Sequence, residues 1–310
     1  MPHRWKALPV AAAVAGAALL AAGCSSSSAA DQPGPDGKII AVGAENEYAD
    51  VIAQVGGKYV QATAIMSNPN TDPHTFEASA STGRLVNAAR LVVQNGLGYD
   101  TYMANIESAS PDSSRRVIDV QKLLGLRDST PNPHLWYRPG TMAALAKALV
   151  GALSAIAPAH AAYFRANATR FDQSLQPWYR ALKAFASRYP RTPVATTEPV
   201  GDYMLAAAGA LNLTPFSFQA DVMNGVDPAP QAVALENSLL SKRRVKAFLY
   251  NQQVTDSLTA SFLAAAKRYG IPVVGLYETM PAGYSYQSWM LAEVTALQKA
   301  VADRVSTPTL

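Results

Sequence analysis

The stretch TMAALAKALVGALSAIAPAHAAYFRANATRFDQSLQPWYRALKAFASRY, residues 141–189, decides how this chain is built. It holds no credible strand. A first helical segment ends near residue 156, and Pro158 opens a second. In the second, Phe164, Ala168, Phe171, Leu175, Trp178, Leu182 and Phe185 recur at spacings of three and four and so fall on one helical face. A helix of about 30 residues spans roughly 45 Å. Pro177 sits inside the pattern and should kink or split it. The segment reads either as two surface helices or as a rigid connector lying across two lobes, and its flanks favour the connector.

On both sides short Val- and Ile-rich runs alternate with helical patterns. Strands are expected at 39–42, 60–66, 91–94 and 117–119 before the stretch, and at 194–197, 245–250 and 273–277 after it. Helices are expected at 48–55, 79–89, 101–106, 141–156, 205–210, 231–243, 257–269 and 286–305. Such alternation argues for parallel sheets with helical crossovers, the α/β class. The expected organisation is an N-terminal lobe at 38–140, a helical connector at 141–190 and a C-terminal lobe at 191–310.

Composition narrows the class. The chain has 310 residues, is 49% hydrophobic and 15% charged, which excludes a disordered polypeptide. One cysteine excludes an intramolecular disulfide scaffold. The position of that cysteine carries more than its number. Arg4 and Lys6 precede an apolar stretch at 7–22, and Ala21-Ala22-Gly23-Cys24 follows. The pattern resembles a bacterial lipoprotein signal at 1–23, with Cys24 as lipid anchor; a plain secretory leader with Cys24 incidental is the alternative. The Ser/Pro/Gly-rich residues 24–37 read as a flexible tether. Removing the leader takes Arg4 and Lys6 with it, so the formal charge of +4 falls by two. No Lys/Arg cluster with interleaved aromatics remains to support a nucleic-acid partner.

Two histidines sit in matched settings. His74 lies in Asp72-Pro73-His74-Thr75-Phe76, and His134 in Asn132-Pro133-His134-Leu135-Trp136. Each follows a proline preceded by Asn or Asp, beyond a strand and before a helix. Proline stiffens the approach of the chain, and a ligand held rigidly loses little entropy on binding a metal. His160 lies within the helical stretch and reads as a partly exposed helix histidine. The second half has no histidine, but Glu198 and Glu278 follow expected strands, where open α/β sheets bind ligands.

These motifs resemble the zinc/manganese branch of ABC-transporter solute-binding lipoproteins. The likeness is carried by Asp72-Pro73-His74-Thr75-Phe76-Glu77, by Leu91-Val92-Val93-Gln94-Asn95-Gly96-Leu97-Gly98, and by Asn132-Pro133-His134-Leu135-Trp136. In the second half it is carried by Asp227-Pro228-Ala229-Pro230 and by Val245 through Gln253. The resemblance implies two Rossmann-like lobes joined by a long helix, with one metal held in the cleft by one residue from each of four loops. By position these would be His74, His134, Glu198 and Glu278. Zinc members often carry His at the third position, where Glu198 stands, followed by Pro199. The fourth is commonly Asp; the longer Glu278 reaches the same point only if its loop retracts slightly.

Two imidazoles and two carboxylates lean toward Mn(II), with Zn(II) a close alternative. The expected protein is a monomeric, lipid-anchored carrier on the outer face of the cell membrane that hands its ion to an ABC-transporter permease. A metal-dependent hydrolase and a surface adhesin on the same fold are the competing classes. Against the first, the chain lacks a His-Glu-x-x-His motif and a Gly-x-Ser-x-Gly turn. Gly96-Leu97-Gly98 begins like a dinucleotide fingerprint, but Thr101 occupies the third glycine position, so it reads as a strand-end turn.

Overall fold

The computed structural model describes residues 1–3, 37–70 and 73–310. Cys24 and Asp72 lie outside these residues, as do the expected leader and tether except at 1–3 and 37. Among the described residues, no helix is long and apolar enough to cross a membrane.

The first half runs β1 (Ile39–Glu45), α1 (Asn46–Gly56), β2 (Val60–Met66), α2 (Ala80–Ala88), β3 (Leu91–Gln94), α3 (Thr101–Ala109), β4 (Arg116–Asp119) and α4 (Val120–Leu123). Its strands form a parallel sheet in the order β2-β1-β3-β4, with Gly43 paired to Ala64 on one side and Val93 on the other. The second half runs β5 (Pro193–Thr196), α8 (Asp202–Ala207), β6 (Leu211–Asn212), α9 (Phe216–Met223), α10 (Pro230–Ser241), β7 (Ala247–Asn251), α11 (Ser257–Arg268), β8 (Val273–Leu276) and α12 (Tyr286–Asp303). Its sheet is also parallel, in the equivalent order β6-β5-β7-β8. The inner strands are mainly apolar, with polar residues at their carboxyl ends, because helices cover both faces of each sheet; every residue of β7 is buried. Helix starts are set by local chemistry. Ser79, Asp256 and Ser285 each close a capping box on α2, α11 and α12.

Between the sheets lie α5 (Thr141–Ile156), α6 (Ala161–Ser174) and α7 (Gln176–Arg188), with a short 3-10 turn at Pro158–His160. The break between α6 and α7 falls at Leu175, and Pro177 sits in the first turn of α7, where its missing N–H does no harm. Phe164, Phe171, Leu175, Trp178, Leu182 and Phe185 are buried along one face. α6 packs on α1 and α5 of the first half, whereas α7 packs on α12 of the second. His160 stacks on Tyr59, with ring centroids 3.7 Å apart.

The two halves do not have separate interiors. One apolar cluster runs from Ala41, Tyr48 and Val93 through Trp136, Phe164 and Trp178 to Leu249, Trp289 and Ala300. Two smaller clusters complete the outer faces of the two sheets. In each sheet the strand order reverses beside the first strand. The carboxyl ends of both sheets are where such folds place ligands.

Three elements were not legible in the sequence. β6 is a two-residue edge strand, too short to carry a period. α4 is a single turn, and α9 is an eight-residue helix entered from Pro215.

Candidate metal centre

His134 is placed by its own loop. The Asn132 side-chain oxygen accepts the His134 backbone N–H at 3.0 Å and stands 2.8 Å from Nδ1 of the ring. The Asn132 amide nitrogen donates to the Pro199 carbonyl at 2.7 Å, so the oxygen end must face the imidazole. Nδ1 therefore carries a proton and donates, which leaves Nε2 as the ring atom that faces the cleft. Burial pushes His134 below the ordinary histidine range, partly opposed by the hydrogen bond and charge of Glu278. Asn95 steadies the loop by donating to the Pro133 carbonyl at 2.9 Å.

His74 stands in a 3-10 turn, Pro73–Thr75, beyond β2. Its Nε2 lies 3.2 Å from Glu278 Oε2, and its side chain is 22% exposed, while those of His134 and Glu278 are fully buried. His74 is the member of the cluster that faces solvent.

Glu278, two residues past β8, is the centre of the cluster. Its Oε2 lies 3.1 Å from His134 Nε2, and accepts from the Tyr99 hydroxyl at 3.0 Å. Its Oε1 accepts from the Asn251 side-chain amide at 2.7 Å. The backbone N–H groups of Glu278 and Thr279 donate to Gln253 Oε1 at 2.6 and 2.8 Å. Burial alone would raise this carboxyl, but His134 and His74 hold it well below its ordinary value. It stays ionised.

Glu198 is 1% exposed and lies beyond β5. The same Asn251 nitrogen that serves Glu278 lies 3.2 Å from Glu198 Oε2, so one amide spans both carboxylates with its two hydrogens. Gln219 donates to the Glu198 carbonyl at 3.1 Å. Among the described residues, the donor atoms that come within 4.8 Å of one another are those of His74, His134 and Glu278. Glu198 stands beside that trio, linked through Asn251.

The donor set has the chemistry of a transition-metal site. Without an ion, a proton on His134 Nε2 bridges to Glu278 at 3.1 Å, and a metal cation can take the place of that proton between the same two donors. Donors about 2.0–2.2 Å from a tetrahedral ion sit roughly 3.3–3.6 Å apart, slightly wider than the 3.1 and 3.2 Å here. Aromatic rings wall the cluster. Tyr99 meets His74 edge-on at 5.4 Å, and Trp136 meets His134 at 5.4 Å. Two more acids lie behind. Glu45 and Glu47 are buried at the junction of β1 and α1, and burial pushes both carboxyls well above their ordinary range.

Tyr99, Asn132, Asn251 and Gln253 escaped the reading of the sequence as site residues. The Asn-Pro-His spacing held the signal for Asn132: an Asn two residues before a ligand histidine can cap its backbone and its ring together. The Gly96-Leu97-Gly98 turn is no phosphate cradle. The Asn95 and Gly96 N–H groups bond the Asp100 carboxylate at 2.5 and 3.0 Å, and Leu97 N–H bonds Gln121 Oε1 at 2.8 Å.

Comparison with known proteins places this geometry. Residues 42–300 match the model of the ZnuA family, described as zinc-uptake complex component A, periplasmic. The chain is 23% identical over 271 residues to the manganese-binding lipoprotein MntA of Bacillus subtilis, covering 84% of this chain and 85% of that protein. It is 25% identical over 206 residues to the zinc-binding protein TroA of Treponema pallidum, covering 64% of each. The solved structure of the periplasmic zinc-binding protein TroA superposes with a TM-score of 0.72 at 20% identity, covering 87% of this chain and all of that one. Fold and sequence agree over nearly the whole described chain, which belongs to the ZnuA family of metal-binding, ABC-transporter solute-binding proteins.

Proposed function

We propose that this protein captures one divalent transition-metal ion outside the cytoplasm and delivers it to an ABC-transporter permease. The observation that carries the reading is the convergence of His74 Nε2 and His134 Nε2 on a single oxygen of Glu278, at 3.2 and 3.1 Å. The ligands are His74, His134 and Glu278, with Glu198 as the fourth, drawn in from its place beside Asn251. Four protein donors from two lobes leave less room for an activated water than the three of a catalytic zinc site, so the site carries its ion and does not catalyse.

Two imidazoles with two carboxylates favour Mn(II) slightly over Zn(II) on ligand chemistry. The names of the relatives carry both metals. A lipid on Cys24 holds the protein at the outer face of the membrane, and the residues after it give the lobes reach. The segment at 141–190, docked on the first half through α6 and on the second through α7, is a rigid connector. The protein acts as a monomer.

Elemental analysis of the purified protein, followed by competitive titration with Mn(II) and Zn(II), tests the proposal. One equivalent of ion, lost in the His134→Ala variant, is the expected result. A chain that binds neither ion stoichiometrically overturns it.

A further inference from the structure

Asn46, Asp50 and Gln54 stand four residues apart on α1 and share one face of it. Each reaches across to the other half of the molecule. Asn46 Nδ2 donates to the Met280 carbonyl at 2.8 Å, and Met280 N–H donates back to Asn46 Oδ1 at 2.9 Å. Asp50 Oδ2 accepts from the Tyr286 N–H at 2.9 Å and from Gln54 Nε2 at 2.6 Å. Gln54 and Gln287 exchange hydrogen bonds through both amides, at 3.0 and 2.9 Å. All three rungs land on residues 280–287, which run from the Glu278 turn into the first turn of α12.

We infer that this stripe is a cross-lobe clasp that holds without metal, and that Asn46 is a positioning residue for Glu278. Gln253 ties residues 278 and 279 to the second lobe. Asn46 ties residue 280 to the helix that follows β1 in the first lobe, the lobe that also carries His74 and His134. The Glu278 carboxylate is therefore held in the frame of the two histidines before an ion arrives. A donor placed in advance loses little freedom on binding, so the clasp acts mainly by slowing escape of the ion. His74, the exposed member, leaves the entry path as it was.

The inference rests on the metal-binding reading, and its test has one arm that does not. In chelator-treated parent protein the Met280 and Tyr286 amides should resist hydrogen exchange, and Asn46→Ala should speed exchange at Met280. In the metal arm, stopped-flow chelator competition should give an off-rate about tenfold faster for Asn46→Ala, with an on-rate within about threefold of the parent. The visible bands of Co(II) bound to Asn46→Ala should shift, because the carboxylate no longer meets the ion at the same angle. Loss of fold stability alone would leave those bands in place. If Asn46→Ala does not fold, Gln54→Ala carries both arms, with a smaller rise in off-rate and faster exchange at Tyr286. Unprotected Met280 and Tyr286 amides in the chelator-treated parent overturn the clasp, whatever the metal result. Parental off-rate and Co(II) bands in Asn46→Ala overturn the positioning role. Failure of the parent to bind metal overturns the function instead, and the exchange arm still decides the clasp.

Discussion

The side chain of Asn132 holds the His134 ring by its Nδ1–H at 2.8 Å and, through its other end, the Pro199 carbonyl of the opposite lobe at 2.7 Å. One amide thus sets which nitrogen of His134 faces the cleft and ties the loops before and after it. Asn132→Ala should weaken metal binding by roughly 10- to 100-fold, the usual range for loss of a partner behind a metal ligand. Asn132→Asp keeps an acceptor for Nδ1–H, although it sets an oxygen against the Pro199 carbonyl, so it should bind more tightly than Asn132→Ala. Competitive titration of both variants checks the order; equal losses would mean that the hold on Nδ1–H contributes nothing.

Glu198→His would put a third imidazole beside the trio. Softer nitrogen in place of carboxylate oxygen should move the Zn/Mn affinity ratio toward zinc, by about tenfold. The ratio measured in parent and variant under one chelator is the check. An unchanged ratio would show that Glu198 does not meet the ion and serves only Asn251.

Glu293 offers a test by pH. Burial pushes its carboxyl up to about 8, against the bonds from Trp289 and Tyr137 that favour the ionised form. The Tyr137 hydroxyl, with one proton, lies 2.9 Å from the Tyr277 carbonyl and 3.2 Å from Glu293 Oε1. It can satisfy the carbonyl only if Glu293 supplies the other proton, which fits a neutral acid. Between its unfolded value near 4.3 and about 8, the folded state holds a proton that the unfolded state has released. The stability from this group is fully present below the lower value and is lost as pH rises through about 8. The slope is at most about 1.4 kcal/mol per pH unit. Glu293→Gln removes it, so the variant should lose less thermal stability than the parent between pH 5 and 8. Parallel melting curves in that range would contradict the raised value.

Much of the architecture was readable because it depends on local period. The bounds of β2, β3 and α5 coincide with the apolar patterns that predict them, since each is a run set off by Gly, Pro or a cap. His74 and His134 were visible because a proline marks each of their turns. What stayed hidden is what depends on distant packing. Asn251 and Gln253 matter because β7 lies beside β8, and Tyr99 reaches Glu278 across 179 positions of chain. The displacement of Glu198 from the trio is of the same kind. Its spacing from β5 puts it at the cleft, but only the Asn251 amide decides how near it stands to the histidines.

The apolar interior that passes from Ala41 to Ala300 without a seam also governs how the molecule reports on its cargo. A core shared by two halves should make them unfold as a single cooperative unit, in one thermal transition. Free energy gained by binding at one small cleft is then credited to every buried residue at once. Trp178, which is not in contact with His74, His134 or Glu278, should register a bound ion in a thermal melt as faithfully as Trp136, which touches His134.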